Sequence, residues 1–89
     1  MPVANPAKYV PVFSEDVLAR LLPLSRKKQR QISLLAQQLA SQPFIRSDYT
    51  LTDESGRPID YLLMGDFVFS YWLDHAVKEV RITDVEDAS

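Results

Sequence analysis

The chain contains no cysteine, which excludes a disulfide framework and a thiolate metal centre and fits a reducing compartment. No apolar run approaches the ~20 residues of a membrane span, and the N-terminus lacks the basic-then-apolar order of a secretory signal. A cytoplasmic protein with no membrane contact is expected. Internal repeats, low-complexity tracts and domain linkers are also missing. The single histidine, His75, falls in an expected turn without a second ligand at a recognisable spacing. It reads as exposed and idle, so no metal, cofactor or small-molecule substrate is expected.

What is present suits one small domain. Eighty-nine residues, 46% of them hydrophobic, can bury ~60–65% of the unfolded surface, enough for one core between two layers. Residues 65–85, GDFVFSYWLDHAVKEVRITDV, organise the rest. Phe67, Phe69, Tyr71 and Leu73 alternate with Val68, Ser70, Trp72 and Asp74, the period of a strand with one buried face. After the break at Asp74-His75-Ala76 the alternation resumes, with Val80 and Ile82 on one side and Glu79, Arg81 and Thr83 on the other. The two runs form an antiparallel hairpin. Its aromatic side needs a cover.

The first half of the chain supplies that cover. Residues 1–7 carry two prolines and no periodicity, as a flexible tail would. Residues 8–13 (KYVPVF) read as a short strand which Pro11 confines to a sheet edge. Ser14 caps a helix with Glu15 and Asp16 in its first turn, and Pro23 ends it. Ser25 caps a longer one, striped by Ile32, Leu35, Ala36 and Leu39, that stops near Ser41 before Pro43. The short link predicts an antiparallel helical hairpin. Residues 47–52 then alternate, residues 53–57 form a turn, and residues 58–64 (PIDYLLM) form the next strand up to Gly65-Asp66. The expected fold is α+β: an N-terminal edge strand and a two-helix hairpin on one face of an antiparallel sheet of four to five strands, all in one domain, 1–89.

Charge is unevenly distributed. Residues 8–46 hold seven basic and two acidic side chains, whereas residues 47–89 hold three basic and ten acidic. The helical half is basic and the sheet half acidic.

Taken in order, YVPVFSEDVLARLLPLSRKKQRQI, GDFVFSYWLD and KEVRITDV resemble the RelE/ParE toxin superfamily of type II toxin–antitoxin systems. The resemblance spans residues 9–85. It implies a small toxin neutralised by an antitoxin partner and, for nuclease-type relatives, ribosome-dependent cleavage of messenger RNA by basic and tyrosine side chains on the open sheet face. The chain departs from that pattern. Val68 stands where an arginine is usual, and Asp84, Val85, Glu86 and Asp87 replace a basic end. Asp60, Leu62 and Met64 stand where lysines or arginines are expected. Cleavage through the 2′-hydroxyl needs a proton acceptor, a proton donor and cations at the phosphate. Only Arg57 and Arg81 remain as weak catalytic candidates.

With Phe67, Phe69 and Tyr71 beneath the helices, Val68 and Trp72 point away. Placing Tyr61 and Leu63 inward leaves Leu62 and Met64 beside them, joined by Val10 and Val12. An apolar patch of Leu62, Met64, Val68 and Trp72 marks a protein contact, for an antitoxin or for self-association through the open sheet face. The competing reading leaves Trp72 half-covered by Arg81 and a terminal tail. Arg26, Lys27, Lys28 and Arg30 could contact RNA, the ribosome or an acidic partner, or form a solvated helical turn. Asp53, Glu54, Glu86 and Asp87 read as solvated acids, and Tyr49, Tyr61 and Tyr71 as core residues with hydroxyls at the rim. The favoured function is a toxin-like, protein-binding component; the alternative is an RNA endonuclease with atypical residues.

Overall fold

A computed structural model describes residues 8–89; the tail expected at residues 1–7 lies outside them. Strand β1 (Val10–Phe13) leads through helices α1 (Glu15–Leu21) and α2 (Arg26–Ser41) into β2 (Tyr49–Thr52), β3 (Pro58–Met64), β4 (Phe67–Asp74) and β5 (Glu79–Asp87). The strands form one sheet in the order β1-β5-β4-β3-β2.

Both helices begin where serine meets a carboxylate-rich or basic turn. Ser14 Oγ accepts the Val17 N–H and Ser25 Oγ the Lys28 N–H, each at 3.2 Å, satisfying donors that a helix start leaves open. At the exit of α1, Gln29 Nε2 donates to the carbonyls of Leu21 and Leu22. One amide thus closes the end of the first helix from the flank of the second. Helix α1 packs on β5, and α2 on β1 and β5.

One pairing departs from the antiparallel expectation. β1 runs parallel to β5, with Val12 beside Arg81, while the remaining pairs are antiparallel. The helical pair carries the chain far enough for a parallel return, which a tight turn cannot. Val10 and Ser14 N–H groups donate to Lys78 and Ile82 carbonyls, so by alternation Pro11 presents its missing donor to the outer edge.

The aromatic side of β4 is buried as expected. Phe69, Tyr71, Val80 and Ile82 meet Ile32, Ala36 and Leu39 of α2 in the core. β5 bulges at Thr83: Ser70 stands opposite Asp84, but Tyr71 stands opposite Ile82. The extra residue lets Ile82 and Val85 face the helices together.

The register of β3 is the reverse of the expected one. Gly65, at φ 59°, and Asp66 make a two-residue turn that sets Met64 opposite Phe67, Leu62 opposite Phe69 and Asp60 opposite Tyr71. Directly opposed residues share a face, so Leu62 and Met64 turn inward with the aromatics. Leu62 is 7% exposed, whereas Leu63 is 54% exposed. Asp60, which that expected register placed on the open face, turns inward with them. It lies at the end of the inner face, where it accepts hydrogen bonds from Ser47 Oγ and Thr50 Oγ1.

The candidate interface on the open sheet face

The face away from the helices is built by three strands in register. Val68 and Trp72 of β4 lie on it as expected; Leu62 and Met64 do not, and Tyr61 and Leu63 of β3 stand there instead. β2 adds Tyr49 opposite Tyr61 and Leu51 opposite Ile59. The two tyrosine rings stack with centroids 4.7 Å apart and planes 6° from parallel. Tyr49 and Tyr61 are therefore surface aromatics, and of the three tyrosines expected in the core Tyr71 alone lies there. Burial pushes the Tyr71 hydroxyl up to about 12, aided by the negative charges of Asp60 and Asp48, so it stays protonated at neutral pH.

Trp72 is half-buried, and its cover is two arginines. Arg57 sets its guanidinium 3.9 Å from the ring centre, and Arg81 lies at 5.7 Å. The two weak catalytic candidates thus meet over one indole, although Arg57 comes from the β2–β3 turn and Arg81 from β5. The pair differs in charge balance. Arg81 is held by Asp74 at 3.3 Å and Glu79 at 2.9 Å; Arg57 has no carboxylate partner among the described residues. Its position is fixed from the backbone. The Asp53 carboxylate accepts from the N–H groups of Ser55 and Arg57 and from the Ser55 hydroxyl, and the Ser55 contact foremost holds that carboxyl below its usual range. Gly56, at φ 86°, closes the turn. Asp53 is thus a turn organiser as well as an exposed acid.

The basic run of α2 is not part of this face. Lys28 binds Asp87 at 2.9 Å and Arg20 pairs with Asp84, so the acidic end of β5 is matched by cations of the helices packed beside it. Hydrogen bonds from Ser89 first, then Lys28, hold the Asp87 carboxyl far below the usual carboxylate range. Arg26, Lys27 and Arg30 are exposed and unpaired among the described residues.

His75 is exposed but not idle. Its Nδ1 shares a 2.6 Å hydrogen bond with the buried Tyr9 hydroxyl, and its ring lies nearly parallel to Phe44. Tyr9 and His75 are 66 positions apart, so no local pattern could have joined them. Among the described residues no three His, Cys, Asp or Glu side chains are grouped to hold a metal, and no helix is long and apolar enough to cross a membrane.

No protein-family profile and no curated protein sequence matches the chain. Its fold does have counterparts. It is similar to a chain of the archaeal RelE-RelB complex from Pyrococcus horikoshii, with a TM-score of 0.67 and 16% identity over 92% of this chain and 97% of that one. It is also similar to a chain of the toxin–antitoxin complex RelBE2 from Mycobacterium tuberculosis, with a TM-score of 0.72 and 20% identity over 90% and 98%. The α+β fold read from the sequence is the RelE-like fold of these structures.

Proposed function

We propose that the chain is the toxin-like component of a toxin–antitoxin pair, acting in the cytoplasm, and that its open sheet face binds protein. The end-to-end likeness to chains of two toxin–antitoxin complexes supports the first part. One observation carries the second: Tyr49, Leu51 and Leu63 are each about half exposed on that face, beside Val68, Tyr61 and Trp72. Contiguous aromatic and aliphatic surface of this kind is characteristic of protein contacts, where tryptophan, tyrosine and arginine dominate binding energy. Arg57 would add a charge-assisted contact to a partner carboxylate.

The alternative, RNA contact and cleavage, is favoured by the arginine-covered indole and the stacked tyrosines, since bases stack on such groups. The carboxylates on Arg81 weigh against it, because they offset the positive charge that a phosphate requires.

Co-expression with the product of an adjacent reading frame, followed by purification and titration of the pair, tests the proposal. A stable complex that Trp72→Asp abolishes, with that variant still folded, supports it. Growth arrest by the chain alone, accompanied by cleaved transcripts that disappear with Arg57→Ala and Arg81→Ala, establishes the RNA reading instead.

A further inference from the structure

The two edges of the sheet are protected differently. At β1 the outer edge carries Pro11, which cannot donate to an added strand. At β2 the sequence from Tyr49 to Thr52 holds neither proline nor charge, and all four residues are exposed. An edge of that composition is a template for another strand.

Its backbone phase can be read. The Asp53 N–H donates to the Arg57 carbonyl at 2.9 Å, on the same ladder that sets Leu51 opposite Ile59. Within Tyr49–Thr52 the odd-numbered residues therefore turn their backbone groups toward β3, and just before the strand the Asp48 N–H also turns inward, to the Tyr61 carbonyl. Thr52 stands opposite Pro58, which has no N–H, as a pair that exchanges no hydrogen bonds requires. Thr50 and Thr52 consequently present their N–H and C=O groups to solvent.

We propose that this edge pairs with itself: a second copy of the chain lays its β2 antiparallel to the first, across a two-fold axis at Thr50, making one continuous sheet. Backbone phase allows only registers in which even-numbered residues face even-numbered ones. Centring on Thr50 sets Tyr49 of each copy beside Leu51 of the other. Centring on Leu51 would set Tyr49 against Asp53. Charge favours the first arrangement too. Antiparallel pairing brings the approach to β2, with Arg46, alongside the exit turn of the other copy, with Glu54. Neither side chain has an ion-pair partner among the described residues. The two aspartates at the strand ends are already engaged at home, Asp48 by the Leu63 N–H and Asp53 by its own turn. A two-fold axis makes each complementary contact occur twice. A four-residue strand gives a small interface, so the dimer is weak, dissociating in the micromolar to millimolar range.

Sedimentation velocity of the full chain over a wide concentration range tests this pairing independently of the antitoxin proposal. The wild type is expected to pass from monomer to dimer as concentration rises. Thr50→Pro removes an outward donor, and Leu51→Lys, which leaves the Thr50–Asp60 bond intact, sets a cation in the pairing surface; both should remain monomeric with an unchanged circular dichroism spectrum. Arg46→Glu should weaken the dimer by about tenfold or more, and adding Glu54→Arg to it should restore the dimer. A wild type that stays monomeric at every concentration overturns the proposal. So does a dimer unaffected by Leu51→Lys, or a charge swap that fails to restore. If Thr50→Pro, which changes the edge backbone and no side chain of the open face, instead abolishes binding of an adjacent gene product while the free chain is monomeric, the edge receives a foreign strand and self-pairing is wrong.

Discussion

The guanidinium of Arg57 lies 3.9 Å from the centre of the Trp72 ring, and this contact joins a turn fixed by Asp53 to the middle of the open face. A cation over an indole at an exposed site is worth ~0.5–1 kcal/mol. Arg57→Ala should lower stability by about that amount in urea denaturation. Because Trp72 is the only tryptophan, the same substitution should shift its fluorescence toward the red as solvent reaches the ring. Arg57→Lys should recover less than half of the loss, since a compact ammonium cannot stack as a planar guanidinium does. Unchanged emission in Arg57→Ala would show that the arginine does not cover the indole.

The orientation of β3 makes a sharper test, because two adjacent leucines lie on opposite faces. Leu62→Ala removes a side chain packed opposite Phe69 and should cost ~2–5 kcal/mol. Leu63→Ala alters an exposed position and should change stability by less than ~0.5 kcal/mol. Chemical denaturation of both variants gives the answer. Equal losses, or the reverse order, would restore the register expected from the sequence.

That register marks where the sequence was legible and where it was not. Serine caps, prolines and periodicity placed every element to within two residues, because each signal is local to its own segment. The inward side of β4 was equally plain, since only one side carries Phe67, Phe69 and Tyr71. β3 offered no such contrast: Ile59, Tyr61 and Leu63 are as apolar as Leu62 and Met64, so continuing the alternation could not choose between the two faces. Turn length settles such a case. With Gly65 and Asp66 as a two-residue loop, Met64 must oppose Phe67 and share its face. The meeting of Arg57 with Arg81 over Trp72, and of Tyr9 with His75, depends on strand order across the whole sheet. Val68 and Trp72 were found because they follow directly from the phase of β4.

Lys78 is the only non-glycine residue in the left-handed region among the described residues, with φ 57°. An L side chain there costs roughly 1 kcal/mol. Lys78→Gly should therefore raise thermal stability by up to ~1 kcal/mol, whereas Lys78→Ala keeps the strain and loses the ammonium that lies 5.5 Å from the Tyr9 ring. Melting temperatures in the order glycine, lysine, alanine are expected. A glycine variant below the alanine one would mean that the turn is not strained.

The end of β5 should make stability acid-dependent through one residue. The Asp87 carboxyl is held well below its usual range by Ser89 and Lys28, while in the unfolded chain it titrates near about 4. A folded-state value below the unfolded one means that its contribution is fully present above about pH 4 and is lost as pH falls through the folded value. Asp87→Asn should accordingly be less stable than the wild type near neutrality, with the gap narrowing once the pH drops below about 4. Tyr71 acts at the opposite limit. Its value is raised to about 12 against an unfolded value of about 10, so its contribution is complete below about pH 10 and disappears as pH climbs through 12. Tyr71→Phe should flatten that alkaline decline while leaving the acid limb unchanged. Denaturation midpoints measured from acid to alkaline pH separate the two, because each substitution is expected to alter only its own limb.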